Sequence, residues 1–174
     1  MTTEEKDIYA IGEVPPLGYI PKKMHAWVIR RDRHGNPMKS FQEEEFDIPE
    51  VGSNDVLIFV MAAGVNYNGV WAGLGKPVST LDMTKKDYHI AGSDCSGIVW
   101  KVGSGVKKWK VGDEVIIHGM QWDHEDAEVN GGEPMVSKTN KVFGYETADG
   151  TFAQFTSVQA LSLIHISEPT RLVS

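Results

Sequence analysis

The sequence predicts a mainly β domain with short helices, folded as a partly open β-barrel. Three observations carry this prediction: β-favouring apolar runs are many and short, glycine-rich turns bound most of them, and helical periodicity is sparse. The 174 residues suffice for one domain with a real core but are tight for two. No G-x-G-x-x-G follows a strand, so no dinucleotide-binding half is predicted here.

The chain begins with a proline-containing segment and a predicted hairpin. Residues 1–23 are predicted to be an extended arm, because proline fixes φ and lacks an N–H donor. Residues 24–31 (MHAWVIRR) and 41–48 (FQEEEFDI) are predicted to be the two strands of a β-hairpin. The sequence HGNP at 34–37 is typical of a turn, and we interpret His34 as a turn residue rather than a catalyst.

The middle of the chain contains the most apolar run. Residues 56–63 (VLIFVMAA) are continuous in apolar side chains, which is typical of a strand buried on both faces. One short helix is predicted over 66–74, ending at Gly75, and a polar loop is predicted over 76–88. Further strands are predicted at 98–102, 115–118 and 152–158, with a long acidic loop over 121–141.

Composition narrows the function and the compartment. The net charge of −7 argues against non-specific binding to nucleic acid or to an anionic membrane surface. The single cysteine, Cys95, excludes a disulfide within the chain and a cysteine-rich zinc site, and we interpret it as a small buried residue rather than a nucleophile. No secretory signal and no bilayer-length apolar run are found, so a cytoplasmic location is expected.

The last fourteen residues, 161–174 (LSLIHISEPTRLVS), differ in character from the rest. Their string resembles translated sequencing-adapter sequence, and we interpret them as a non-native tail. The alternative is an ordinary C-terminal strand followed by a loop. Under the first interpretation the domain spans 24–160, and the chain is a truncated fragment.

Fixed spacings in one segment carry a family resemblance. Glycines there permit positive φ and tight corners between short strands. The segment resembles the GroES-like catalytic half of the medium-chain dehydrogenase/reductase superfamily, and its fixed positions are Gly92, Asp94, Gly97, Val99, Gly103, Val106, Gly112, Asp113 and Val115. The resemblance implies that the fold is GroES-like and that the Rossmann half is missing.

Two motifs separate this chain from the zinc enzymes of that superfamily. Zinc alcohol dehydrogenases place a cysteine where Asn66-Tyr67-Asn68 lies, and Gly-His-Glu where residues 92–94 (GSD) lie. Zinc requires Cys, His or carboxylate ligands in a tetrahedral array, which one aspartate does not provide. No metal is therefore expected, and the resemblance shifts to the zinc-independent enoyl and quinone reductases.

Several longer segments resemble the crotonyl-CoA carboxylase/reductase family, over about residues 6–160. That family reduces crotonyl-CoA with NADPH and carboxylates the resulting enolate with CO2 to ethylmalonyl-CoA, as a homotetramer. The resemblance implies that the fragment is inactive alone, with most cofactor-binding residues in the missing half. The segments are IGEVPPLGYIPKKMHAWVIRRDRHG, MAAGVNYNGVWAGLGKPVS, YHIAGSDCSGIVW, KVGDEVIIH and FGYETADGTFAQF.

The same resemblance implies the roles of the site residues. Asn68 would be the CO2 anchor, because a carboxamide offers two N–H donors and no acidic proton that could quench the enolate. Glu146 would position a water that also hydrogen-bonds CO2, and the backbone of Tyr145 would contribute a donor. The residues expected to shape the substrate pocket are Asn66, Tyr67 and Trp71.

Other interpretations remain open at this point. The parent could be an enoyl-CoA or quinone reductase without carboxylation, or the chain could be a non-catalytic GroES-like binding module. Asn68 could instead cap the short helix near Val70, since asparagine is a favoured cap. The acidic run at 123–128 is interpreted as a solvated loop rather than a cation site, and the basic run at 107–110 as a solvated turn.

Overall fold

The computed structural model describes residues 4–126 and 128–166. Within them three antiparallel sheets form. The strands are β1 (Lys23–Ile29), β2 (Gln42–Asp47), β3 (Asp55–Ala63), β4 (His89–Ile90), β5 (Cys95–Val102), β6 (Glu114–Ile117), β7 (Met120–Gln121), β8 (Lys141–Val142), β9 (Phe155–Gln159) and β10 (Leu163–His165). Three of them pair in the order β2-β1-β4, five in the order β10-β6-β5-β3-β9, and β7 pairs with β8. The sheets do not close, which confirms the partly open barrel.

Three short helices accompany these strands in the described residues: α1 (Pro37–Ser40), α2 (Tyr67–Leu74) and α3 (Thr80–Thr84). Helix α2 is the predicted one, and it ends at Gly75, which adopts the left-handed conformation with φ of +66°. Helix α3 lies in the segment predicted to be a polar loop, so that prediction was wrong. A single turn forms there because Thr80 and Leu81 are buried against the core, which a polar pattern does not reveal.

Strand β3 organises the core. Its first half, Val56–Phe59, is buried on both faces, as predicted: Val56 and Ile58 pack in one apolar cluster, and Leu57 and Phe59 pack in another. The second half departs from the prediction, since Met61 is 56% exposed. Met61 lies beyond Phe59, the last residue of β3 that pairs with β9, and at a register shift between Val60 and Ala62 in the pairing with β5.

The predicted hairpin is confirmed by the antiparallel pairing of β1 with β2. Strand β5 begins three residues before the predicted start at residue 98, because Gly97 lies inside the strand rather than bounding it. A Cβ at Gly97 would lie 2.4 Å from the carbonyl oxygen of Phe59, so the glycine permits close strand packing. Strand β9 is shifted toward the C-terminus of its predicted span.

The first and last described segments are bonded to the sheets. Residues 4–22 contain neither helix nor strand, as their prolines predict, and the carbonyl of Tyr9 accepts a hydrogen bond from the Gln154 side chain at 3.1 Å. Strand β10 pairs with β6, and Leu163 is buried. This pairing leaves the origin of residues 161–174 a prediction, and residues 167–174 lie outside the described residues. Within the described residues, no helix has the length and apolarity to cross a membrane.

Candidate active site

Three loops converge beside the C-terminal end of β3: those from β3 to α2, from β4 to β5, and from β8 to β9. The Asn66 side chain donates to the Ser93 hydroxyl at 2.8 Å, and the Gly64 N–H donates to the Asp94 carboxylate at 2.9 Å. The Thr151 hydroxyl donates to the Asp94 carbonyl at 2.9 Å. These bonds join the predicted NYN motif to the GSD motif and to the third loop.

Glycines let the third loop lie directly against the second. Gly144 has φ of +66°, and a Cβ there would lie 1.9 Å from the carbonyl oxygen of Gly92. A Cβ at Gly150 would lie 2.5 Å from the Ala91 carbonyl oxygen. Side chains do not fit at either position. The backbone of the FGYE segment is therefore held in contact with the GSD loop.

Helix α2 is capped by Asn66 rather than by Asn68, so the interpretation of Asn68 as a cap was wrong. The Asn66 side-chain oxygen accepts a hydrogen bond from the Asn68 N–H at 3.0 Å. Asn68 is the second residue of the helix and is half-buried. Among residues 4–126 and 128–166 its carboxamide has no hydrogen-bond partner, and its two N–H donors remain available.

The faces of α2 have different surroundings. Tyr67 and Trp71 form an edge-to-face pair with ring centroids 5.3 Å apart, and they are 67% and 40% exposed. Ala72 is fully buried. Because residues four apart share a helix face, Asn68 lies one turn from Ala72, between the exposed aromatic pair and the core.

The third loop brings Tyr145 to the same cluster. Tyr145 packs against the buried cluster of Ile29, Ala72 and Ala91, which places it beside the Asn68 face of α2. Burial, assisted by the charge of Glu146, raises the pKa of the Tyr145 phenol, so the phenol is neutral near pH 7.

Glu146 is exposed, and its carboxylate turns back onto its own loop. One carboxylate oxygen accepts from the Val142 N–H at 2.7 Å. In the described residues the other oxygen has no hydrogen-bond donor, so it is open to solvent water. The structure thus groups Asn66, Asn68 and Tyr145 around α2, and it shows no direct bond from Glu146 to Asn68.

An apolar groove of about 490 Å³ runs along a different face of α2. Asn68 does not line it, and Gly69 and Val70 do. A Cβ at Gly69 would meet the rings of Phe41 and Phe152 at 3.8 and 3.9 Å. The lining residues are Trp27, Pro37, Met38, Phe41, Ala63, Val65, Asn66, Gly69, Val70 and Phe152.

Asp94, at the position of a zinc ligand in related enzymes, and the single cysteine both have other surroundings here. Asp94 accepts from the Gly64 N–H, and Cys95 is buried, which raises its thiol pKa to about 12. Within the described part of the chain no three His, Cys, Asp or Glu side chains come together as a metal site. In the acidic loop Asp126 accepts from the hydroxyls of Ser137 and Thr139, so its carboxylate serves the loop itself. A zinc-free site stays a prediction.

Three residues at the site were missed by sequence reasoning. Ser93 and Asp94 were considered only as absent zinc ligands, yet they fasten the β3–α2 loop. A partial signal existed, since GSD contains two short polar side chains directly after a glycine. His89 was not considered at all, and an isolated histidine in a two-residue strand gives no pattern to detect.

The open antiparallel barrel with three glycine-fastened loops at a strand end defines a GroES-like domain. Residues 52–168 match the family described as alcohol dehydrogenase GroES-like domain, and the chain belongs to that family. Its resemblance to the crotonyl-CoA carboxylase/reductases is confirmed: it is 62% identical over 160 residues to the crotonyl-CoA carboxylase/reductase of Cereibacter sphaeroides. That match covers 92% of this chain and 37% of the relative.

Solved structures agree with this assignment. A crotonyl-CoA carboxylase/reductase superposes with a TM-score of 0.91 at 61% identity, covering 94% of this chain and 38% of that one. A 2-octenoyl-CoA carboxylase reductase in complex with NADP and 2-octenoyl-CoA gives a TM-score of 0.79 at 30% identity, covering 84% of this chain and 38% of that one. The chain therefore spans less than two fifths of the length of these relatives.

Proposed function

We propose that this chain is the catalytic half of an NADPH-dependent reductive carboxylase that converts crotonyl-CoA and CO2 to ethylmalonyl-CoA. The observation that carries the proposal is the Asn68 carboxamide, half-buried and unbonded within the described residues, beside the loop of Tyr145. The similarity to crotonyl-CoA carboxylase/reductases supports the same substrate and cofactor. We extend the proposal to a cytoplasmic homotetramer by the same resemblance.

NADPH would supply a hydride to the β-carbon of the enoyl thioester. The sheets described here are antiparallel throughout, with no βαβ unit, so we assign no residue of this chain to that cofactor.

Asn68 would stabilise negative charge as it develops on the CO2 oxygens. Its two N–H donors need no reorganisation by water, and a half-buried position strengthens their electrostatic effect. The amide has no acidic proton to give to the α-carbon, so it favours carbon–carbon bond formation over simple protonation of the enolate.

Glu146 and Tyr145 would complete the CO2 pocket. The free carboxylate oxygen of Glu146 would hold a water, whose other contact would be a CO2 oxygen. The backbone N–H of Tyr145 would be a further donor; its bond to the Val142 carbonyl is long, at 3.3 Å, so the N–H is weakly engaged. Asn66 would hold the start of α2 in place, and Tyr67 and Trp71 would form the exposed wall that meets substrate.

One observation favours a second candidate, an enoyl-CoA or quinone reductase that protonates its enolate. The phenol of Tyr67 is exposed and adjacent in sequence to Asn68, so it would be the proton donor in such an enzyme. Against it stands the Asn68 carboxamide, which has no hydrogen-bond partner in the described residues and would have no role in a simple reduction.

The test uses the full-length protein encoded by the intact gene. It is incubated with crotonyl-CoA and NADPH, with and without bicarbonate and carbonic anhydrase, and the acyl-CoA products are separated by mass. The proposal predicts mainly ethylmalonyl-CoA when CO2 is present and slower conversion to butyryl-CoA when it is removed. Butyryl-CoA as the main product under both conditions would favour the reductase, and no NADPH oxidation would favour a binding module.

A further inference from the structure

The C-terminal end of α2 packs closely against the β1–β2 connection (residues 30–41), which contains α1. A Cβ added at Gly73 would lie 3.3 Å from the Cα of Pro37, so the neighbouring backbone would have to move. A Cβ added at Gly75 would lie 2.5 Å from Nδ1 of His34, a separation that no side chain tolerates. The end of α2 is therefore in direct contact with this connection.

The carbonyl group of Gly73 has no partner available within α2. The helical pattern would pair it with the N–H of residue 77, but Pro77 has no N–H. Two donors of the β1–β2 connection bond to it instead: the Gly35 N–H at 3.1 Å and the Ser40 hydroxyl at 2.8 Å. The last turn of α2 is thus bonded to a segment that lies more than thirty residues earlier in the chain.

Ser40 is fully buried, and its hydroxyl faces three carbonyl oxygens with one proton. These oxygens belong to Arg33 at 2.8 Å, Asn36 at 3.0 Å and Gly73 at 2.8 Å. The Asn36 carbonyl already accepts from the backbone N–H groups of Lys39 and Ser40. The hydroxyl proton is therefore shared between the Arg33 and Gly73 carbonyls, and it joins the β1–β2 connection to α2.

The N-terminal end of α2 is held by the bond between Asn66 and Ser93. Hydroxyl groups of two serines from separate segments therefore hold the two ends of this eight-residue helix. Asn68 lies five residues before Gly73, which is about 7.5 Å along the helix axis. Because so short a helix moves almost as a rigid body, freedom at its C-terminal end would change the direction of the Asn68 side chain.

We propose that Ser40 is a positioning residue: its hydroxyl bond to the Gly73 carbonyl fixes the orientation of α2 and thereby directs the Asn68 carboxamide at bound CO2. This inference rests on the proposed function, in which that carboxamide receives CO2. It assigns Ser40 no contact with substrate. Replacing a serine that only stabilised the fold would lower the melting temperature without changing which product forms.

The first test measures amide hydrogen exchange in α2 of the full-length protein by mass spectrometry. Ser40→Ala removes the bond to Gly73, so exchange in residues 66–75 should become about fivefold faster, the effect of one ordinary hydrogen bond. Thr84→Ala is the matched control, because the Thr84 hydroxyl donates to the Thr80 carbonyl of α3 at 2.9 Å, and it should leave exchange in α2 unchanged. Unchanged exchange in Ser40→Ala would overturn the proposal.

The second test compares the same full-length variants by the ratio of carboxylated to reduced product. In Ser40→Ala the ratio should fall about threefold, less than the full effect of a hydrogen bond because the Gly35 N–H still bonds to the Gly73 carbonyl. Ser40→Thr retains the hydroxyl and should restore most of the ratio. Thr84→Ala should give the ratio of wild type.

An unchanged ratio in Ser40→Ala would contradict the proposal even if exchange is faster, since the serine would then only stabilise the helix. A fall of equal size in Thr84→Ala would contradict it too, because general destabilisation would account for both. If the threonine variant does not fold, the two alanine variants still decide. If wild type forms no carboxylated product, the proposed function has failed, and amide exchange alone decides whether Ser40 holds α2.

Discussion

The candidate-site loops and the long loop at 121–141 are both polar, yet they are held in different ways. In the site, three separate loops are joined to one another by side-chain bonds such as Asn66–Ser93 and by glycine contacts without intervening side chains. The long loop is bonded largely to itself: Asp126 accepts from Ser137 at 2.7 Å and from the Glu128 N–H at 2.8 Å.

The difference shows that the site loops are constrained more tightly than the long loop. Backbone contacts that admit only glycine leave the site loops little freedom to shift, which is what preorganised donors require. A loop whose hydrogen bonds lie mostly within itself needs no such fit, because those bonds persist when the whole loop shifts. Changes in the site should therefore affect the whole domain, and matched changes in the long loop should remain local.

The largest effect is expected from Gly144→Ala. The added Cβ would meet the Gly92 carbonyl oxygen and would strain a positive φ, so the free energy of unfolding should fall by roughly 3 kcal/mol or more. Gly131→Ala in the long loop is the matched control: φ is +136° there, but no atom of the described residues would lie within 4 Å of the added Cβ, so only about 1–2 kcal/mol is expected. Urea unfolding measures the free energy of unfolding of both variants. Equal decreases in the two variants would contradict the stated difference between the site and the long loop.

Acid should weaken the site through His89. Burial lowers its pKa to about 4 in the folded chain, whereas the pKa is about 6.5 when unfolded, so the unfolded state binds the proton first as pH falls. This contribution is complete above pH 6.5 and is lost progressively down to pH 4, amounting to roughly 3 kcal/mol. In His89→Gln the free energy of unfolding should depend less on pH over this window. Replacing the exposed His124 should leave the pH dependence of the free energy of unfolding as it is in wild type.

A smaller effect is expected from Asn66→Ala. The change removes the cap of α2 and the bond to Ser93, so stability should fall by about 2 kcal/mol. Asn36→Ala is the control, because Asn36 caps α1 through the Met38 N–H and, in the part of the chain that the structure describes, has no bond comparable to that with Ser93. About 1 kcal/mol is expected. If the two variants melt alike, the Asn66–Ser93 bond contributes nothing.

The smallest effect on the domain is expected from Asp126→Ala. Hydrogen bonds from Ser137, from the Glu128 N–H and from Thr139 lower the pKa of the Asp126 carboxyl, so its support is present near neutral pH and lost as pH falls into the acid range. Limited proteolysis should cut the long loop faster in the variant, while amide exchange in residues 143–152 stays unchanged. Faster exchange there would show that the two regions are coupled.

Much of the fold was predictable from sequence, because its signals are local. The apolar run of β3, the Gly75 terminus of α2 and the antiparallel β1–β2 pair each follow from residues close together in the chain. The two-residue strand β4 and the single-turn helix α3 have no periodicity to detect. They form because tertiary packing buries them.

The site was predictable only in part. Resemblance pointed to Asn68, Tyr145 and Glu146, and composition alone would have left each of them an ordinary polar residue. The cap at Asn66 and the Ser93 bond depend on how two distant segments meet, which sequence spacing does not encode. The position of His89 beneath the Tyr145 loop likewise depends on pairing across the sheet.

The central claim, that a neutral carboxamide at position 68 receives CO2, is tested most directly by the product ratio of Asn68→Leu in the full-length enzyme. Leucine has a similar volume and no donor, so the ratio of ethylmalonyl-CoA to butyryl-CoA should fall by about tenfold or more. Tyr67→Phe, which removes only the neighbouring phenol, should leave the ratio near that of wild type. A wild-type ratio in Asn68→Leu would contradict the account.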